Sequence, residues 1–168
     1  MALFPPGKGG GEEVDYGFKG KGCTNHIITD GNGMPLSLVT TPASASERAQ
    51  VVTLLAQAKL FPVGSKRPRC CPKILQGDKG YDSQSLRQKL RSKGIKPLIA
   101  KRVWKNRKQP RGRKAAQGKT RWQVERCFAW MQRKFRRVVV RWERKSKYWY
   151  GFLLLAISFM WIDKLISF

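Results

Sequence analysis

KILQGDKGYDSQSLRQKLRSKGIKPLIA, residues 73–100, is the stretch that decides the fold. Residues 73–77 form a short apolar run ending at Asp78 and read as a buried strand. Lys79, Gly80, Tyr81 and Asp82 make a turn. Residues 83–93 carry Leu86 and Leu90 one helical turn apart, with Gly94 as the stop. Residues 96–100 return as a strand, and Pro97 suits an edge or a strand start. Strand, helix and strand in that order make this an α/β chain.

The neighbouring segments extend the pattern. Residues 23–29 (CTNHIIT) read as a strand, 30–33 (DGNG) as a hairpin turn, and 35–41 (PLSLVTT) as the returning strand. A helix is predicted from Ser46-Glu47 to about Lys59, with Val51, Val52, Leu54, Leu55 and Ala58 as its apolar stripe. Residues 61–72 read as a loop bearing Pro and Arg. Residues 5–22 are rich in Gly and Lys without apolar periodicity, so 1–22 reads as a flexible leader and 23–168 as the folded domain. Residues 101–119 form a basic connector interrupted by Gly and Pro. A helix over 120–135 presents Val124, Cys127, Phe128, Met131 and Phe135 on one face. Residues 138–142 read as a short β-like run or loop, and 147–166 as a final apolar helix.

Charge narrows the partners. Of 168 residues, 35 are Lys or Arg and 10 are Asp or Glu, a formal net charge of +25. Such a surface attracts polyanions, nucleic acid first and anionic membrane second. The hydrophobic share of 41% supports a real core. Cys23, Cys70, Cys71 and Cys127 show neither C-x-x-C nor C-x-x-H spacing, which argues against zinc. The apolar stretch 149–162 is shorter than the roughly 20 residues a bilayer span needs. It reads as a buried core helix in a cytosolic protein with no membrane partner.

Only ten carboxylates have to be weighed. Glu12, Glu13 and Asp15 lie in the leader, Asp30 in the hairpin turn and Glu47 at a helix start, while Glu143 and Asp163 sit among cations. All seven read as structural. Asp78 differs because the C-terminal end of a strand is where α/β sheets place functional groups. Its structural alternative is an N-cap or Asx-turn acid, and Asp82 as the better cap of the following helix frees it. Glu125 borders the packed face of its helix and is expected to be partly buried. Its structural alternative is an ion pair with Arg121 one turn away. Met on the sheet edge, two such acids would hold Mg²⁺, and paired metal ions drive phosphoryl transfer on DNA.

Between residues 101 and 147 there are nineteen Lys and Arg, opposed by Glu125 and Glu143, with Trp104, Trp122, Trp130 and Trp142 interleaved. This run is read as DNA phosphate contact. Arg111, Arg113 and Lys114 suit phosphate clamps, and Trp104 suits stacking on an unpaired end. Arg121 is expected to orient Glu125 or a phosphate, and Arg133 and Lys134 are counted among the DNA contacts. Trp130 and Trp142 are expected in the core. His26, alone in a strand, reads as structural. The leader lacks the G-K-[ST] of a phosphate-binding loop.

QGDKGYDSQSLR (76–87), followed by TRWQVERCFAWMQRKFRRVVVRWER (120–144), resembles the DDE transposases of bacterial insertion sequences, the type-four/type-five group. The leader and the hairpin resemble the segment after the first catalytic Asp in those enzymes, so the likeness runs from about Pro5 onward in the right order. It implies a ribonuclease-H-like fold, a mixed sheet with flanking helices, whose Asp, Asp and Glu bind two Mg²⁺ or Mn²⁺ ions. Asp78 matches the second Asp, Glu125 the Glu, Arg121 the Arg of R-x-x-x-E and Tyr81 the Tyr beside the second Asp. Gly118 stands where the family has Tyr, and Gln132 where it has Lys, with Arg133 and Lys134 following at once.

The family's first Asp belongs on a strand just upstream of the leader, and residues 1–11 contain no carboxylate. The resemblance therefore implies a chain with a truncated N-terminal strand and an incomplete active site, inactive alone. A frame-split gene and a decayed one fit equally. The expected activity of the complete enzyme is metal-dependent DNA cleavage and strand transfer in transposition. The expected partners are transposon ends, target DNA, and a second copy or an upstream transposase part, in the cytoplasm on the nucleoid. The alternatives are a non-catalytic basic DNA-binding module or regulator, and an RNA- or ribosome-binding protein.

Overall fold

The computed structural model describes residues 2–59, 66, 71–101 and 122–167. The chain divides into two compact units, Met1–Ala58 with Gln123–Phe168, and Lys59–Trp122.

In the first unit β3 (Gly20–Thr29) is the central strand. β1 (Ala2–Leu3) and β2 (Asp15–Gly17) pair antiparallel with different parts of it, Ala2 opposite His26 and Asp15 opposite Gly22. β4 (Pro35–Pro42) pairs antiparallel on the other side, with Ile27 opposite Leu38. The connecting turn forms as expected. Asp30 Oδ1 accepts from the Asn32 and Met34 amides at 2.9 and 2.8 Å, and Gly33 takes φ 85°, a conformation that suits glycine.

The strands alternate in facing. Cys23, Ile27 and Leu38 pack with Cys127, Phe128 and Met131 of α3 (Trp122–Lys134) and with Trp149, Leu153, Ala156 and Met160 of α4 (Ser146–Ile166). α1 (Gln50–Gln57) lies against β3 and β4 with Val51, Leu54 and Leu55 buried. It starts later than Ser46-Glu47, because Glu47–Ala49 form a turn and no side chain caps the helix.

Residues 5–22 carry more structure than their composition predicts. Besides β2, Pro6 bridges Gly22 and Gly7 bridges Arg141. The Glu12 amide donates to the Arg144 carbonyl at 2.8 Å, and the Arg141 amide to the Pro6 carbonyl at 2.9 Å. Order here comes from backbone pairing with a segment 130 residues away, which no local periodicity records. Residues 138–142 likewise contain a single bridge at Arg141 after a 3₁₀ turn at Arg136–Val138. Arg141 is fully buried, and its guanidinium donates to the Glu12 and Glu143 carbonyls at 2.5 and 3.0 Å.

α4 corrects the expectation of a buried core helix. It runs for 21 residues, long and apolar enough by length and composition to cross a membrane, yet only 22% of its most apolar window is buried. One stripe enters the core, and Tyr148, Phe152, Leu155, Phe159 and Ile162 stay exposed. An all-apolar sequence does not announce which face packs.

In the second unit β5 (Ile74–Gly77) and β6 (Lys96–Ile99) pair in parallel, Ile74 opposite Lys96, with α2 (Gln84–Ser92) between them in sequence. Leu86, Leu90, Ile95 and Ile99 are buried. β5 is not the buried strand expected: Ile74 is 55% exposed and the rest of the strand is half-buried. Among the described residues β6 is its one strand neighbour, so one edge of β5 gains no cover from the sheet.

Candidate nucleic-acid and metal site

Asp78 follows the last residue of β5, as the sequence suggests. Its carboxylate accepts from the Lys79 amide at 2.7 Å and caps the 3₁₀ turn Lys79–Tyr81. The structure thus gives Asp78 the capping duty from which Asp82 was expected to free it. Asp82 instead pairs with Arg87 at 2.8 Å, and the N-cap of α2 is Ser83, without a side-chain cap bond. Arg87 also donates to the Ile99 carbonyl at 2.7 Å, so one guanidinium ties the turn after β5 to the end of β6. Tyr81 is buried beneath the turn.

Glu125 lies in the first turn of α3, where an acid complements the helix dipole. It is exposed, not partly buried as expected, because the packed face runs through Cys127, Phe128 and Met131. The hairpin turn fixes the start of α3: the Arg126 guanidinium donates to the Asn32 carbonyl at 2.6 Å. Asp78 belongs to the unit Lys59–Trp122 and Glu125 to the other. Among the described residues no three His, Cys, Asp or Glu side chains gather into a group able to hold a metal ion. The two acids do offer carboxylate oxygens, the hard donors that Mg²⁺ and Mn²⁺ take.

The predicted DNA contacts divide. Trp104, Arg111, Arg113, Lys114 and Arg121 lie outside the described residues. Arg133 and Lys134 are exposed in the last turn of α3. With Met34, Trp130, Met160, Asp163 and Lys164 they line a cleft of about 460 Å³, and Lys134 forms an ion pair with Asp163. Trp130 and Trp142 are not core residues: they are 43% and 52% exposed. Each ring lies beneath a cation, the Arg126 guanidinium 4.6 Å from the Trp130 centroid and the Lys8 ammonium 5.9 Å from that of Trp142.

The acids read as structural behave so. Glu12 Oε2 accepts from the Ser146 amide and hydroxyl at 2.9 and 3.0 Å, capping α4, and these bonds hold its carboxyl below the usual range. Asp15 is lowered by the Ser44 hydroxyl and the Tyr16 amide. Glu143 pairs with Arg137. His26 is buried against the Thr41 hydroxyl at 2.8 Å, and burial pushes its imidazole down to about 4. Sequence reasoning missed the buried Arg141 and the capping by Glu12. Neither has a local signal.

The family model for the transposase DDE domain matches residues 5–161. The chain belongs to this transposase family. It is similar to a putative transposase for insertion sequence element IS402 of Burkholderia cepacia, 38% identical over 137 residues, which cover 80% of this chain and 60% of that protein. It is also similar to a transposase for insertion sequence element IS1106 of Neisseria meningitidis serogroup B, 32% identical over 118 residues, 68% of this chain and 37% of the relative. This transposase chain therefore spans at most about 60% of the length of these relatives. No solved structure matches it. DDE transposases generally use divalent metal ions.

Proposed function

We propose that this chain supplies part of a ribonuclease-H-like catalytic domain for DNA transposition, cleaving and joining DNA strands with Mg²⁺ or Mn²⁺. The observation that carries the reading is the match to the transposase DDE domain over residues 5–161, with Asp78 at a strand end and Glu125 on a later helix. An antiparallel β1–β4 sheet and a parallel β5–β6 pair with an intervening helix are the strand types a mixed sheet of this kind requires, which supports the fold assignment.

Asp78 and Glu125 are the residues assigned to metal binding. The bound ions would polarise a phosphoryl group and activate a water or 3′-hydroxyl. The chain's own cations neutralise backbone phosphates, Arg133 and Lys134 among the described residues, Arg111, Arg113 and Lys114 in the basic connector and Arg121 just after it, while Trp104 stacks on an unpaired end. β1 carries no acid, so the third carboxylate of this reading lies outside residues 1–11. A second copy or an upstream transposase part are the protein partners, with DNA of the nucleoid as substrate.

The test combines Mn²⁺ titration, DNA binding and plasmid nicking. Asp78→Ala and Glu125→Ala are expected to weaken Mn²⁺ binding and leave duplex affinity within about twofold, since neither acid contacts phosphate favourably. Nicking that survives Asp78→Ala would sink the assignment of that residue. Equal, metal-independent affinity for structured RNA and duplex DNA would favour the RNA-binding alternative.

A further inference from the structure

The hairpin joining β2 to β3 carries a large apolar side chain at its tip. Gly17 pairs with Gly20, so Phe18 and Lys19 are the two residues of the turn. Gly20 closes it at φ +108°, a conformation that suits glycine. Phe18 is fully exposed, and Tyr16, two residues before it on β2, is 71% exposed. Single aromatic residues scattered over a surface are ordinary. A ring standing clear of the surface at the tip of a hairpin contributes nothing to folding, because it buries nothing there.

The stem beneath that tip is held in place. Asp15 accepts from the Ser44 hydroxyl at 2.5 Å and from the Tyr16 amide at 2.7 Å. A methyl group added to Gly17 would overlap the Ala43 carbonyl oxygen, so the stem lies against the end of β4. Cations flank the ring. Lys19 is in the turn, and the Lys21 ammonium lies 5.8 Å from the Tyr16 centroid. Lys8 follows Gly7, whose amide donates to the Lys21 carbonyl at 3.1 Å. All three lysines are exposed.

We propose, resting on the DNA-binding role inferred above, that Phe18 is a wedge that enters duplex DNA between two base pairs from the minor groove while Lys8, Lys19 and Lys21 hold the flanking phosphates. The ring unstacks one step and kinks the helix; stacking on the parted bases and the phosphate contacts offset that cost. Flexible pyrimidine–purine steps are entered most readily. A wedge has to be stiff at its base and apolar at its point, and the pinned stem and bare ring meet both needs. Charge selects the occupant. In a chain of net charge +25, lysines around a ring attract phosphate and repel basic surfaces. The residues beside Phe18 in the hairpin are Gly17, Lys19, Gly20 and Lys21, which give a protein partner little apolar area to bury. A bilayer anchor needs a broader apolar face than this tip presents.

The experiment relaxes closed circular plasmid with a metal-independent topoisomerase in the presence of the whole chain, since parting a base step also unwinds it. It needs neither cleavage nor bound metal. We expect the chain to lower the linking number as it is added, and Phe18→Ala to lose most of that change at equal DNA occupancy. Duplex affinity in that variant should fall by no more than about tenfold, with the salt slope unchanged. Phe18→Leu, which keeps an apolar wedge, should still unwind the plasmid. Lys19→Ala should unwind as much per bound chain and reduce the salt slope by about 1. DNA binding with unwinding that is absent or indifferent to Phe18→Ala would overturn the wedge and leave the transposition reading standing. No DNA binding at all would overturn both. Binding to anionic vesicles that depends on Phe18, without unwinding of DNA, would assign the ring to a membrane and overturn the proposal.

Discussion

A methyl group added to Gly9 would overlap the Trp142 carbonyl oxygen, and one added to Gly11 would overlap that of Arg144, where φ is also +99°. The obstacle in both cases is backbone, which cannot swing aside. Gly9→Ala and Gly11→Ala are therefore expected to destabilise the chain by about 2–4 kcal/mol each, read from urea unfolding. Gly10→Ala meets no atom, although its φ of +64° leaves a smaller conformational cost. His26 governs a different response. Its folded-state pKa, about 4, lies below the ordinary 6.5. Above pH 6.5 the folded and unfolded forms are both neutral there. As pH falls from 6.5 toward 4 the unfolded chain takes up the proton first, and stability is lost by on the order of 3 kcal/mol. Thermal melts of His26→Gln should lose that dependence. Glu12 acts lower on the scale: its depressed carboxyl supports folding above its ordinary 4.5, and that support fades as pH drops through the folded value. None of these roles could be read from the leader's composition, because the partners of Gly9, Gly11 and Glu12 are Trp142, Arg144 and Ser146, far along the chain.

Elements differ in how plainly the sequence announced them. The hairpin β3–β4 was legible because its turn is built locally, by the Asp30 side chain and Gly33. The core face of α3 was legible too, since Cys127, Phe128 and Met131 repeat at helical spacing and the opposite face is charged. α4 was not, because apolar residues surround it and only tertiary structure selects Trp149 and Leu153. Trp130 and Trp142 misled for a related reason: cations shelter their rings without burying them. For the candidate site, Asp78 was found at the strand end, but its bond to the Lys79 amide was missed because Asp82 seemed the better cap and is engaged by Arg87 instead. That clamp carries its own expectation. Arg87→Ala strips a partly buried carboxylate and the Ile99 carbonyl of a partner, and should cost about 1–3 kcal/mol. Hydrogen exchange at the β6 amides is the measurement, and unchanged protection there would show the clamp to be idle.

At the scale of the whole molecule, charge dominates behaviour toward DNA. With 35 cationic side chains against 10 acidic ones, duplex affinity should fall by about a thousandfold between 50 and 200 mM salt. Arg133→Ala should weaken all sequences alike and reduce the slope of log affinity on log salt by about 1. A slope unchanged by that substitution would remove Arg133 from the contact surface. Terminal-repeat preference is not expected from such contacts, which read the phosphate backbone and not the bases.

The division of the chain has a bearing on its birth. The first unit joins Met1–Ala58 to Gln123–Phe168, so β3 emerges from the ribosome long before the helices that cover Cys23 and Ile27 exist. The nascent hairpin must wait, with an apolar face bare, while the intervening β5–α2–β6 segment is synthesised. Closure comes only when the last two helices arrive and Arg141 slides between the carbonyls of Glu12 and Glu143. Premature termination anywhere before α4 should therefore yield aggregates and not a smaller soluble product, since the core face of the hairpin would stay bare.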